Sequence, residues 1–260
     1  LRTRRQRQMC IRDRYEHNPV LGNPGIEHFR DPKILWDEQA HCWIMVLAAE
    51  NVIKFYRSEN LLAWQLLSNF KPPSDDPDLC LECPDLFPLR DPVSGRDKWV
   101  LIISQVSGTP NGGSGTHYLI GEFDGERFTP EHDAVLWLGY GPDCYAGVTW
   151  SDESDNHQQR SFIAWMSNWR YANDVPTSPW RGAMTVPRTL SLVDTQFGLR
   201  LASPPIAQYT LLAEGSATRH LTNFVVEGTQ TLVEEINTIA ALSLDLSLIH
   251  ISEPTRQDRI

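Results

Sequence analysis

Two carboxylates stand out for their surroundings. Glu82 lies in Glu82-Cys83-Pro84-Asp85-Leu86-Phe87, and Asp31 lies in Phe29-Arg30-Asp31-Pro32. Each sits in a short, proline-marked, turn-like context and not on a helix face. Cleaving a sugar acetal with retention needs one carboxylate to attack the carbon and one protonated carboxyl to donate to the departing oxygen, while other groups hold the sugar. Together the two motifs look like part of such a site. Each motif also has a plainer reading. Arg30-Asp31-Pro32 alone is a capped surface turn, Pro84-Asp85 is ordinary turn chemistry, and only their co-occurrence favours a site. Cys83 reads as a small packing residue behind Glu82 and not as a reactive thiol.

The elements that must position these groups are short strands. Lys33–Trp36 and Cys42–Ala48 are apolar runs about a polar turn, and Val52–Tyr56 continues the meander. The same rhythm returns at Lys98–Ser104, at His117–Phe123 with Asp124-Gly125 as the next turn, and at Arg160–Met166. Helical periodicity is almost absent from Tyr15 to about Leu201, so the expected class is all-β. Strand groups recurring every few tens of residues suggest propeller blades. Pro72–Asp78 and Asn111–Gly115 read as surface loops, and neither glycine cluster meets a phosphate-loop rule. From Ser203 to Asp245 the pattern is less regular, with strands favoured again between Leu221 and Thr238.

Both ends are set apart from this fold. Met9–Arg14 and Leu246–Ile251 can be translated from complementary strands of one inverted repeat, ATGTGTATAAGAGACAG, of the kind found at transposon ends in sequencing libraries. Residues 1–14 and 246–260 are therefore read as translated adapter, not as part of the domain. Removing them takes away eight of the 23 basic and three of the 33 acidic residues, leaving 15 against 30, a net charge of −15. So acidic a core disfavours a nucleic-acid partner. There is no apolar run of about 18 residues to span a membrane. Four cysteines remain (Cys42, Cys80, Cys83 and Cys144). Cys80-Leu81-Glu82-Cys83 is formally a C-x-x-C pair, but it lacks a second pair at zinc spacing and a thioredoxin-like context.

In chain order the sequence carries Asn18-Pro19-Val20-Leu21, Phe29-Arg30-Asp31-Pro32-Lys33, Glu82-Cys83-Pro84-Asp85-Leu86-Phe87 and Gly113-Ser114-Gly115-Thr116. Tyr140–Ala146, Trp165-Met166-Ser167-Asn168-Trp169 and Trp180-Arg181-Gly182-Ala183-Met184 follow. Seven motifs in this order resemble glycoside hydrolase family 32, the invertases, levanases and inulinases, over essentially all of Tyr15–Asp245. The details are most similar to bacterial levanases and exo-acting inulinases.

The resemblance implies a five-bladed β-propeller, of which residues 15–201 would hold about three blades. Residues 202–245 would be a linker and the start of a C-terminal β-sandwich. It implies Glu82 as general acid/base, Asp31 as the carboxylate that stabilises the transition state, and Arg30, Asp85, Asp143, Tyr145 and Trp180 as substrate-binding residues. For Asp85 a turn role stays open, and for Asp143 and Tyr145 a packed aromatic turn does. Most of the tryptophans read as core. His117 stands where the family often has an amide and reads as a local hydrogen-bonding variant. Val148-Thr149-Trp150 departs from the family pattern, which puts leaving-group contacts there in doubt.

The family's nucleophile is an Asp in a Trp-Met-Asn-Asp-Pro-like segment, and no such segment occurs in this sequence. The chain as written is therefore expected to be inactive. The implied substrate is levan, inulin or sucrose, with no cofactor and no metal; the resemblance favours action outside the cell or in the periplasm and leaves the cytoplasm open, since sucrose-cleaving relatives can be cytoplasmic. Two other functions remain in play: a fructosyltransferase that passes fructose to another sugar, and a non-catalytic fructan-binding module.

Overall fold

The computed structural model describes residues 15–150 and 157–213. The chain divides into two compact units, Leu1–Ile206 and Ala207–Ile260. In the second unit the described residues form one short 3-10 helix, Ala207–Ala213. The strand-favouring stretch from Leu221 to Thr238 and both adapter-like ends lie outside the described residues. Among those residues no helix is long and apolar enough to cross a membrane.

The first unit is built from three antiparallel sheets, each wound in chain order. The first holds β1 (Phe29–Asp37), β2 (Cys42–Ala49), β3 (Val52–Ser58) and β4 (Gln65–Phe70). In the second are β5 (Leu81–Arg90), β6 (Asp97–Gln105), β7 (Gly115–Phe123) and β8 (Phe128–Pro130), with the short β9 (Leu136–Trp137) also pairing with β7. The third holds β10 (Tyr145–Trp150), β11 (Arg160–Trp165), β12 (Arg188–Thr195) and β13 (Gly198–Ala202). The all-β expectation holds; the strand runs read from the sequence fall inside β1, β2, β3, β6 and β7, and Arg160–Met166 exceeds β11 by one residue.

The sheets are layered with the second in the middle. One core joins Ile44, Val46 and Phe55 of the first sheet to Leu81, Leu86, Leu101 and Ile103 of the second. The other joins Phe87, Val100, Ile102 and Tyr118 of the second to Phe162, Ala164, Leu190 and Leu192 of the third. Side chains alternate across a strand. In β6, Val100 and Ile102 therefore point to one core while Leu101 and Ile103 point to the other. That strand is buried on both faces, which is why its sequence is a continuous apolar run.

The first strand of each sheet lies at an edge and carries a bulge. The register slips between Arg30 and Lys33 in β1, between Glu82 and Asp85 in β5, and between Tyr145 and Val148 in β10. A residue with left-handed backbone sits in each: Asp31 (φ 58°), Cys83 (φ 47°) and Ala146 (φ 50°). The Glu82 motif is thus a bulged strand, where the sequence suggested a turn. Pro84 and Pro88 are tolerated because β5 is an edge strand, so a missing N–H need not break the ladder to β6. The matching place in β10 is Gly147, where an added Cβ would run into the Phe162 ring.

Candidate active site

The three bulges bring their first residues together. An Arg30 Nη2 nitrogen lies 2.7 Å from Glu82 Oε1, and the Tyr145 hydroxyl donates to Glu82 Oε2. Each carboxyl oxygen of Glu82 is therefore held by a different strand, one from the first sheet and one from the third. Arg30 Nη2 also points at Cys80 Sγ, 3.8 Å away. The Glu82 side chain keeps 17% exposure and Arg30 keeps 37%, so this tier is open to solvent and to a substrate. Tyr145 is buried, and that burial together with its bond to Glu82 raises the phenol well above the usual tyrosine range. It therefore remains a proton-bearing partner that donates to a carboxylate or accepts from a carboxylic acid.

The second residues of the first two bulges also meet. Asp31 Oδ2 accepts from the Cys83 backbone N–H at 3.1 Å and faces the Cys83 thiol at 3.5 Å. Burial, then the charge and hydrogen bond of Asp31, push that thiol up to about 12. Cys83 is thus a neutral neighbour of the two carboxylates, in line with its reading as a packing residue.

One step deeper lies a sealed tier. Asp85 is 1% exposed. Its Oδ2 lies 3.1 Å from Lys33 Nζ and accepts from the Thr149 backbone N–H at 2.9 Å and the Thr149 hydroxyl at 2.8 Å. Lys33 Nζ also donates to the Thr149 carbonyl. Arg160 Nε donates to Thr149 Oγ1 at 2.8 Å, and its guanidinium lies 4.9 Å from the centre of the Phe87 ring. Asp85, expected among the substrate-binding residues, is placed here as an ion-paired clamp between β1, β5 and β10. Its other oxygen, Oδ1, is buried without a hydrogen-bond partner among the described residues.

Tyr145 is set by Ser104, which no motif contained, and by Thr116, the last residue of the Gly113–Thr116 motif. Ser104, opposite Glu82 on β6, accepts from the Ala146 N–H at 3.0 Å and lies 3.3 Å from Thr116 Oγ1. Thr116 donates to the Cys144 carbonyl at 3.0 Å. These hydroxyls hold the backbone on both sides of Tyr145, and both residues are buried. Another missed residue is Asn168, fully buried. Its amide donates to the carbonyls of Gly112, Ser114 and Pro142, while its Oδ1 accepts from the N–H groups of Ser114 and Arg170. It ties three loops together, and Gly113 is needed there because a Cβ would strike Asn168 Oδ1. A polar residue inside a Trp-Met-Ser-Asn-Trp run was the available signal.

The remaining expected site residues are less tightly gathered. Asp143 is half-buried, and its Oδ1 has no hydrogen-bond partner among the described residues. Trp180 is 67% exposed on a loop whose Gly182 packs against Trp165, and Trp165 meets the Tyr145 ring at a centroid distance of 6.2 Å. His117 is fully buried beside Trp137, and neither ring nitrogen has a partner among the described residues. The hydrogen-bonding role expected for it is not seen, and burial lowers its pKa to about 3, keeping it neutral. Among the described residues no group of three or more His, Cys, Asp or Glu is placed to hold a metal ion.

The model of the glycosyl hydrolases family 32 N-terminal domain matches residues 4–204. A levanase of Bacillus subtilis (strain 168) is 46% identical over 200 residues, covering 75% of this chain and 29% of that protein. A levanbiose-producing levanase of Geobacillus stearothermophilus is 39% identical over 223 residues, covering 84% of this chain and 55% of that protein. Among solved structures, a fructofuranosidase from Schwanniomyces occidentalis complexed with fructose superposes with a TM-score of 0.66 at 35% identity, over 74% of this chain and 38% of that one. An exo-inulinase from Aspergillus awamori gives 0.67 at 33% identity, over 74% and 40%. The chain thus spans between 29% and 55% of the length of these relatives.

Proposed function

The chain belongs to glycosyl hydrolase family 32, and from that premise we propose that the protein it represents hydrolyses β-fructofuranosidic bonds in levan, inulin or sucrose by a retaining double displacement. The observation that carries this reading is Glu82, with Arg30 on one carboxyl oxygen and Tyr145 on the other. In the first displacement Glu82 gives its proton to the departing glycosidic oxygen, and in the second the resulting carboxylate takes a proton from the attacking water. Tyr145 serves both states, accepting from the acid and donating to the base. Arg30 fixes the plane of the carboxyl group. Asp31, fixed by the Cys83 N–H, offers negative charge to an oxocarbenium-like fructosyl ring and holds its hydroxyls.

The covalent fructosyl intermediate needs a carboxylate nucleophile, and the family segment that would bear it does not occur in this sequence. The chain by itself therefore binds the sugar without turning it over. On this account its three sheets are three of five propeller blades.

The test is fructose release from levan and sucrose by the purified chain, and by the chain joined behind the N-terminal segment of the Bacillus levanase. The expected result is no release by the first and release by the second, cut about 10²–10⁴-fold by Glu82→Gln. Release by the chain alone, abolished by Glu82→Gln, overturns its inactivity. Oligofructosides as the main product of the joined protein at high sucrose would make it a transferase. Binding with no turnover by a folded joined protein would make it a fructan-binding module.

A further inference from the structure

Glu82, Ser104 and Thr116 form one file across the second sheet. Ser104 stands opposite Glu82 in the pairing of β5 with β6, and opposite Thr116 in the pairing of β6 with β7. The carboxyl lies at the edge of the sheet, and the two buried hydroxyls lie behind it.

The direction of each hydroxyl bond follows from the atoms available. A carbonyl cannot donate, so the one hydroxyl hydrogen of Thr116 goes to the Cys144 carbonyl at 3.0 Å. Thr116 Oγ1 then meets Ser104, 3.3 Å away, as an acceptor, which commits the one hydroxyl hydrogen of Ser104. Ser104 Oγ in turn accepts from the Ala146 N–H at 3.0 Å. The result is a one-way relay from the Ala146 N–H through Ser104 and Thr116 to the Cys144 carbonyl. Its two ends are the peptide groups on either side of the Tyr145 α-carbon.

The third bulge needs such a hold. Ala146 has a left-handed φ of 50°, which a residue with a Cβ keeps only where its surroundings fix it. The second bulge meets the same need in the same way, since the N–H of left-handed Cys83 is held at 3.1 Å by Asp31 of the preceding sheet. At both interfaces a side chain of one sheet thus holds the left-handed residue of the next. At the first that side chain belongs to the open site, whereas at the second it is Ser104, which is fully buried.

We infer that Ser104 and Thr116 are positioning residues for Glu82: they act through Tyr145, fixing its backbone so that the phenol hydroxyl is aimed at Glu82 Oε2. This role deepens the reading of Glu82 as the general acid/base and rests on it. The relay itself requires neither the nucleophile nor turnover.

The test is proton NMR of the purified chain, following exchange of the Tyr145 hydroxyl with water. A phenol proton donated to a carboxylate is expected far downfield, and its loss in Tyr145→Phe identifies it. Ser104→Ala and Thr116→Val each remove one link and should speed that exchange about 5–10-fold, the worth of one hydrogen bond. Thr116→Ser keeps the hydroxyl and should keep the wild-type rate. Backbone amides of β2, in the first sheet, report the stability of the fold as a whole and should not follow the hydroxyl. Acceleration of the hydroxyl and the β2 amides alike would make the relay merely structural and overturn the positioning role. So would an unchanged hydroxyl in Ser104→Ala and Thr116→Val, a Thr116→Ser chain as fast as Thr116→Val, or a wild type without the downfield proton. A joined protein that releases no fructose while this proton keeps its dependence on the relay would overturn the hydrolase reading alone.

Discussion

The open tier of Arg30, Glu82 and Tyr145 and the sealed tier of Lys33, Asp85 and Thr149 are built on the same three strands, close to the same bulge, yet do opposite work. In the open tier each partner holds one oxygen of a carboxyl that keeps 17% exposure. In the sealed tier three donors crowd one oxygen of a carboxylate that keeps 1%. A buried carboxylate with converging partners is a clamp, because removing them leaves its charge away from water, although the Lys33 side chain itself keeps 25% exposure. A half-open carboxyl with one donor per oxygen can lose or gain a proton without dismantling its surroundings. The bulges thus supply pairs of converging side chains, and depth decides which pair is free to do chemistry.

The largest effect on folding should come from Asp85→Ala. It leaves the Thr149 N–H and hydroxyl without their acceptor and takes the Lys33 ammonium's ion-pair partner, and should destabilise the chain by about 3–5 kcal/mol in urea unfolding. A loss under about 1 kcal/mol would show that the sealed tier is not a clamp. Thr149→Val keeps the shape and the backbone N–H but removes the hydroxyl between Asp85 and Arg160, for an expected cost of about 1–2 kcal/mol by the same measurement.

His117 sharpens the comparison at a third site, buried but without a charge partner. Its folded pKa, about 3, lies below the ordinary 6.5. Between those values the unfolded chain binds a proton that the folded chain does not, so its contribution is intact above about pH 6.5 and is lost as pH falls toward 3. His117→Leu should therefore flatten the loss of stability on acidification by up to about 1.4 kcal/mol per pH unit. An unchanged slope would mean that the ring is solvated. The smallest effect concerns Cys83. With its thiol pushed up to about 12, it should resist iodoacetamide at pH 8 in the folded chain and react on unfolding. Fast labelling in the folded state would mean that the thiol has lost its burial and its Asp31 neighbour.

Much of the scaffold was legible in the sequence. Lys98–Ser104 and Cys42–Ala48 declare themselves because strands buried on both faces must be continuously apolar. β5 did not, since two prolines and two carboxylates hide a strand that only its edge position permits. Glu82 and Asp31 were legible as motifs, and the structure sets Arg30 and Tyr145 against the first and the Cys83 backbone against the second. The sealed tier was not, because Lys33 meets the Thr149 carbonyl 116 residues away and no local pattern encodes that approach. For the same reason the part that the Ser104 and Thr116 hydroxyls take in holding Tyr145 could not be read from the sequence. Hydroxyls within strands look like solvent-facing positions until the neighbouring sheet is in place.

The central claim is that the open tier exists for chemistry and the sealed tier for structure, and urea unfolding of Glu82→Gln tests it most directly. The account predicts a stability within about 1 kcal/mol of the parent chain, because an amide keeps the shape and the half-open site solvates what it loses. A loss of about 3–5 kcal/mol, matching that expected for Asp85→Ala, would contradict it and make Glu82 another clamp.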